Sequence, residues 1–114
     1  LLDCLEIRDT VNPYYWDDLM DDKYPMKIVA TYTNVIYEGM LHNYESYSND
    51  PKIVIGAYIV KDKNGAIIED YSHNKTKCLI LDSADADNIE IIYSDKSPKC
   101  NELKDLCDSN DELF

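Results

Sequence analysis

Arginine is nearly missing: Arg8 is the one guanidinium among 114 residues, and no cluster of lysines replaces it. Nucleic-acid affinity rests mainly on neutralising phosphates with Lys and Arg, and docking onto anionic lipid asks for the same clusters. With 23 acids against 11 bases and a net charge of −12, the chain is disfavoured for both roles. The excess is spread out. Residues 1–26 carry −5, residues 27–93 carry −4 and residues 94–114 carry −3, so no basic face hides behind an acidic tail.

Long apolar runs are missing too. No stretch approaches the roughly 20 apolar residues of a membrane-spanning helix, and no secretory leader pattern is present. The chain opens Leu1-Leu2-Asp3 without a methionine, which reads as a piece of a longer protein or a trimmed product. The four cysteines, Cys4, Cys78, Cys100 and Cys107, include no C-x-x-C pair and no dense framework, so reduced thiols are expected. Cys78 lies in an apolar run and reads as a buried small hydrophobe. Cys100 and Cys107 share a helical face about two turns apart, too far for an easy bridge. Without secretion the Asn74-Lys75-Thr76 sequon carries no meaning.

Catalytic signatures are absent as well: there is no Gly-rich phosphate loop, no G-x-S-x-G and no H-E-x-x-H. His42 and His73 stand alone in the sequence. Asp17, Asp18, Asp21 and Asp22 read as a solvated helix face, and Asp82, Asp85 and Asp87 as turn and cap chemistry, since EF-hand spacing is missing. No catalytic residue, metal ligand or cofactor is expected, and the chain is not expected to be an enzyme.

What is present fits one domain. Apolar residues make up 45%, and ten tyrosines stand against one Phe and one Trp. Tyrosine has an apolar body and a polar tip, so many should straddle the core boundary. Asn12 and Pro13 suit the start of a short helix whose apolar face is Tyr15, Trp16, Leu19 and Met20, and Pro25 ends it. From Met26 the period changes to two. Strands are expected over 27–32, 35–44, 53–60, 77–81 and 88–93, with Ile89 and Ile91 pointing inward. Gly39 marks a bend or a close backbone approach, and Gly56 interrupts the third strand. Asn64-Gly65 is a hairpin signal, and residues 66–70 extend that hairpin. Residues 82–87 read as a tight helical turn. Ser97-Pro98 opens a helix through Leu103 and Cys107 that fades into residues 108–114. The expected fold is mostly β: a small SH3-like or Sm-like five-stranded barrel, with a lead-in over residues 1–25, the barrel over 26–93 and an acidic tail over 94–114.

Two segments carry a family likeness. Asn12-Pro13-Tyr14-Tyr15-Trp16-Asp17, followed by Lys27–Tyr32 and Val35-Ile36-Tyr37-Glu38-Gly39, resembles a pattern in bacterial membrane proteins of unknown function. These have N-terminal transmembrane helices and a soluble C-terminal barrel. Residues 78–90 resemble their closing strand, turn and strand. The resemblance implies a cytoplasmic domain with a membrane-anchored parent and offers no catalytic residue. Tyr37-Glu38-Gly39-Met40-Leu41 also resembles the first motif of the Sm-like proteins, which implies an oligomeric RNA-binding module. Ser83 and Ala84 stand where the second Sm motif has Arg-Gly, which ranks that alternative second. The first expectation is a protein-interaction or regulatory domain. Tyr14, Tyr15, Trp16, Tyr44, Tyr47 and Tyr58 are its candidate contacts, with Tyr71 beside them, for a basic or proline-rich partner. The competing reading for Trp16 is that it seals one end of the barrel.

Overall fold

The computed structural model describes the backbone of residues 15–45 and 51–113, and the side chains of residues 18–45 and 51–109. A short helix, α1 (Tyr15–Met20), leads into β1 (Met26–Thr31), β2 (Val35–Tyr44) and β3 (Lys52–Asp62). Next come β4 (Ile67–Asp70), β5 (Cys78–Asp82), a single 3-10 turn (Ser83–Asp85), β6 (Asn88–Tyr93) and the helix α2 (Lys99–Leu113). The fold is therefore mostly β.

All pairings are antiparallel and lie in one sheet, ordered β4-β3-β2-β1-β6, with β5 also paired to β3. β2 runs along one edge of β3. On the other edge β5 takes residues 52–56 and β4 takes residues 59–61. The expected five strands are corrected to six, and among the described residues no ladder joins β6 to β5, so the sheet is not closed. The extra strand is the hairpin arm beyond Gly65. Asp62 caps that turn, its Oδ1 accepting from the Asn64 and Ala66 amides at 2.9 and 3.0 Å. Gly65 supplies the left-handed φ of 91° that the turn needs.

The open sheet is nevertheless strongly curled. Tyr32, at the exit of β1, donates from its hydroxyl to the Asp82 carbonyl at the end of β5, at 3.0 Å. In a flat sheet those strands lie three spacings apart, roughly 14 Å, well beyond the reach of a tyrosine. The Asp87 amide completes the crossing by donating to the Thr31 carbonyl at 2.7 Å.

Curling gives the sheet an inner and an outer face. Met26, Ile28 and Ala30 of β1, Ile53 and Ile55 of β3, and Leu81 of β5 are buried inside. Fully burying an isoleucine stabilises by roughly 1.5–3 kcal/mol, so these alternating positions decide the register. Ile89, Ile91 and Tyr93 of β6 pack against the same core, as the alternation predicts. Met20 of α1 joins it, and the Leu19 carbonyl accepts the Tyr93 hydroxyl at 2.8 Å. The Asn12-Pro13 start of that helix lies outside the described residues.

Ser97 opens α2, as expected. It is buried, its hydroxyl accepts from the Lys99 amide at 3.1 Å and donates to the Asp22 carboxylate. The Asp22 pKa is lowered, chiefly by that bond. The helix does not fade after Cys107 but continues to Leu113, because the run from Glu102 onward contains neither Gly nor Pro.

Candidate functional site

Met40 of β2, Gly56 of β3 and Cys78 of β5 are direct partners across three adjacent strands. Gly56 alternates with the buried Ile55, so the row lies on the outer face. A Cβ built on Gly56 would meet nothing within 4 Å, and its φ is not positive. Neither crowding nor backbone conformation asks for glycine here, although glycine inside a strand costs about 0.5–1 kcal/mol relative to alanine. The vacancy is part of the floor of an open groove of about 660 Å3. Met40, Ala57 and Cys78 complete the floor, Leu41 borders it with its side chain packed on the core, and His42 and the loop Ser72–Lys77 form the walls.

Two bulges shape this groove. Glu38 pairs with Ile59 and Met40 with Gly56, so Gly39 faces both Ala57 and Tyr58. Ala57 takes a φ of 48°, the left-handed position that this type of bulge usually gives to glycine. The second bulge inserts His42 between the pairs Leu41–Ile55 and Asn43–Val54. The extra residue turns the chain locally, and His42 is exposed.

The loop wall is braced from within. The Asp70 Oδ1 accepts from the Ser72 amide at 2.9 Å and from its hydroxyl at 2.5 Å, and these bonds lower the Asp70 pKa. Asn74 holds Thr76 in the same way, at 2.9 and 2.8 Å. Lys77 lies 3.5 Å from the Tyr71 ring centroid, and Tyr71 packs on Tyr58 with ring centroids 5.2 Å apart. Hydrogen bonding to Tyr71 raises the Lys77 pKa, so the ammonium stays charged at neutral pH. Glu69, which accepts the Tyr71 hydroxyl at 2.6 Å, raises the pKa of that phenol. Among the described residues the lining thus holds Lys75, Lys77, His42 and His73 and no carboxylate, on a chain of net charge −12.

Beside the groove, on the same outer face, Glu38 bridges two strands. Its carboxylate sits 2.5 Å from Lys27 Nζ and 2.8 Å from Lys61 Nζ, and its side chain is only 15% exposed. Hydrogen bonds from Lys27 and then Lys61 hold its pKa down against the opposing effect of burial. Lys52 is likewise paired, with Asp82 at 3.1 Å. Asp82 also caps the 3-10 turn by accepting from the Ala84 amide at 3.0 Å, the cap role expected for it.

The expected tyrosine contacts are distributed otherwise. Tyr14 and Tyr47 lie outside the described residues; Tyr15 and Trp16 belong to α1, but their side chains also lie outside them. Tyr44 packs against the core at the end of β2. Tyr58 is corrected from a loop-side contact to a core residue, 3% exposed. The cause is the bulge: continuing the alternation from Ile53 and Ile55 would turn Ala57 inward, and the extra residue turns Tyr58 inward instead. Cys78 is corrected in the opposite sense. It is exposed, because its pairing with Gly56 sends Leu79 and Leu81 inward. The two histidines, separate in sequence, line the same groove. Gly56, inside a β-branched and aromatic run, was the one signal that could have located it.

Among the described residues no group of three or more His, Cys, Asp or Glu is placed to hold a metal ion, and no helix is long and apolar enough to cross a membrane. No protein-family model, curated protein or solved structure matches the chain.

Proposed function

We propose that this is a non-enzymatic protein-interaction domain that takes an extended segment of its partner across Gly56, between Met40 and Cys78. The observation that carries this is the unexplained glycine. In a strand interior, a glycine marks a bulge, a bend or a place where another backbone approaches closely, and the bulge here places its left-handed residue at Ala57 and not at Gly56. A groove with an apolar floor and a braced polar wall suits such a segment, because its backbone is near the floor while its side chains reach both sides.

The finer reading of the fold is a small SH3-like or Sm-like barrel. It is supported by the strong curl and by the 3-10 turn that carries the chain from β5 on one side of the sheet to β6 on the other. The likeness of Asn12–Asp17 and of the first two strands to bacterial membrane proteins supports a membrane-anchored parent and a cytoplasmic setting. A second reading, an oligomeric RNA-binding module, draws on Tyr37-Glu38-Gly39-Met40-Leu41 and on the edges of β5 and β6, which no ladder joins among the described residues.

The test is selection from a random display library of peptides about ten residues long, followed by binding to a Gly56→Leu variant. Enriched peptides that bind the native protein and lose binding to the variant are the expected result. No enrichment, or binding indifferent to the variant, overturns the proposal. Light scattering on the same sample addresses the second reading: a ring of subunits favours it, and a monomer removes it.

A further inference from the structure

At long range a chain of net charge −12 attracts basic partners and repels acidic ones. The groove does not share that sign. Lys75 and Lys77 stand on its loop wall with His73, His42 lines it from the β2 side, and among the described residues no Asp or Glu lines it. The carboxylates nearest in sequence are engaged already, Glu69 by the Tyr71 hydroxyl and Asp70 by Ser72.

The lysines divide in the same way. Lys27, Lys52 and Lys61, on the strands, each form an ion pair with a carboxylate. Lys75 and Lys77 form none among the described residues, and Lys77 rests instead over an aromatic ring. The sheet pairs its cations with carboxylates, whereas among the described residues those of the groove face none. Below them the floor is apolar, with Met40 37% exposed.

Resting on the interaction reading above, we propose that the groove takes an acidic segment of a partner protein, with carboxylate side chains beside apolar ones. The segment's backbone crosses Gly56, its apolar side chains settle on Met40 and Ala57, and its carboxylates face Lys75 and Lys77. Local charge at close range then opposes net charge at long range. Such a site rejects the basic ligands that the rest of the molecule attracts, which makes the arrangement selective.

The experiment uses three synthetic peptides of about ten residues with the same Val and Thr positions and with Glu, Gln or Lys between them. A single-stranded RNA of similar length is added as a fourth probe. Binding to the full chain is measured by fluorescence anisotropy at low salt. The Glu peptide is expected to bind at least about tenfold tighter than the Lys peptide, against the whole-molecule charge. Lys75→Glu, at an unpaired position, is expected to weaken the Glu peptide about tenfold, as reversing one close charge does at low ionic strength. Gly56→Leu is expected to abolish binding. If the Gln or Lys peptide binds as well as the Glu peptide and Gly56→Leu still abolishes it, the acidic preference is overturned and the interaction role stands. If no peptide binds, or Gly56→Leu changes nothing, both fail. Tighter binding of the RNA than of any peptide overturns both in favour of the RNA-binding reading.

Discussion

Gly39 and Gly56 lie on neighbouring strands, one residue pair apart in register, and they are glycine for opposite reasons. A Cβ at Gly39 would sit 2.6 Å from the Tyr58 Cβ and 2.9 Å from the Gly56 carbonyl oxygen. A Cβ at Gly56 would touch nothing within 4 Å. The first glycine is demanded by the inner face, where the bulge drives Tyr58 across the strand. The second is demanded by nothing in the fold. The pair separates two kinds of constraint within a few ångströms: one position holds the sheet together, and its neighbour leaves a gap on the surface.

The largest effect is expected at the crowded position. Gly39→Ala should cost about 3 kcal/mol or more, or prevent folding, because the obstacles are backbone and Cβ atoms that no rotamer change can move aside. Urea denaturation checks this. Tyr58→Ala retains the Cβ and should not rescue Gly39→Ala. A Gly39→Ala protein as stable as the native one would remove one side of the comparison.

Next in size is Glu38→Gln, one residue from Gly39 on the opposite face. It leaves Lys27 and Lys61 without their anion and should cost about 1–2 kcal/mol at pH 7. The folded-state pKa of Glu38 is lowered. Its stabilisation is therefore present above the unfolded-state value and is lost as pH falls through the folded one. The gap between native and variant melting temperatures should be full at pH 7 and shrink once the pH drops below about 4. A gap that grows in acid would contradict the ion-pair account.

Ala57→Gly should raise stability by about 0.5 kcal/mol, since a left-handed alanine costs about 1–2 kcal/mol and glycine returns part of this through the unfolded chain. A loss in thermal melts would mean the bulge needs the methyl group. Gly56→Val should change stability least, within about 0.5 kcal/mol, with β-branching offsetting the new exposed surface. Scanning calorimetry checks it. A cost comparable to Gly39→Ala would show that the vacancy over Gly56 is structural.

Much of the fold could be read from alternation and punctuation. Ile28 and Ala30, Ile53 and Ile55, and Ile89 and Ile91 keep a period of two, Pro25 and Asn64-Gly65 bound the strands, and Ser97-Pro98 starts α2. Alternation cannot count across a bulge, so the sequence pattern does not show that Tyr58, expected as a partner contact, turns into the core. Nor does a short apolar run such as Cys78-Leu79-Ile80-Leu81 say which residues face inward; its pairing with β3 decides. The groove depends on still longer-range facts. His42 and His73 meet only because β2 pairs with β3 and the loop after β4 returns alongside, and no local pattern encodes that meeting. Openness was equally hidden, because strand count says nothing of whether β6 finds β5.

The crossing from β5 to β6 also sets the order in which this chain can be finished. β2 reaches β1 through a short turn, but Ile28 must wait for Ile91, about sixty residues later, to fill its other side. At translation rates of about 5–20 residues per second, β1 to β3 emerge from the ribosome some seconds before β6. Throughout that interval β1 presents an unpaired edge, the feature by which nascent sheets recruit one another. The 3-10 turn Ser83–Asp85 closes far faster than residues are added, so the pace of synthesis through Tyr93 sets the nascent chain's exposure to aggregation, whatever the stability of the finished protein.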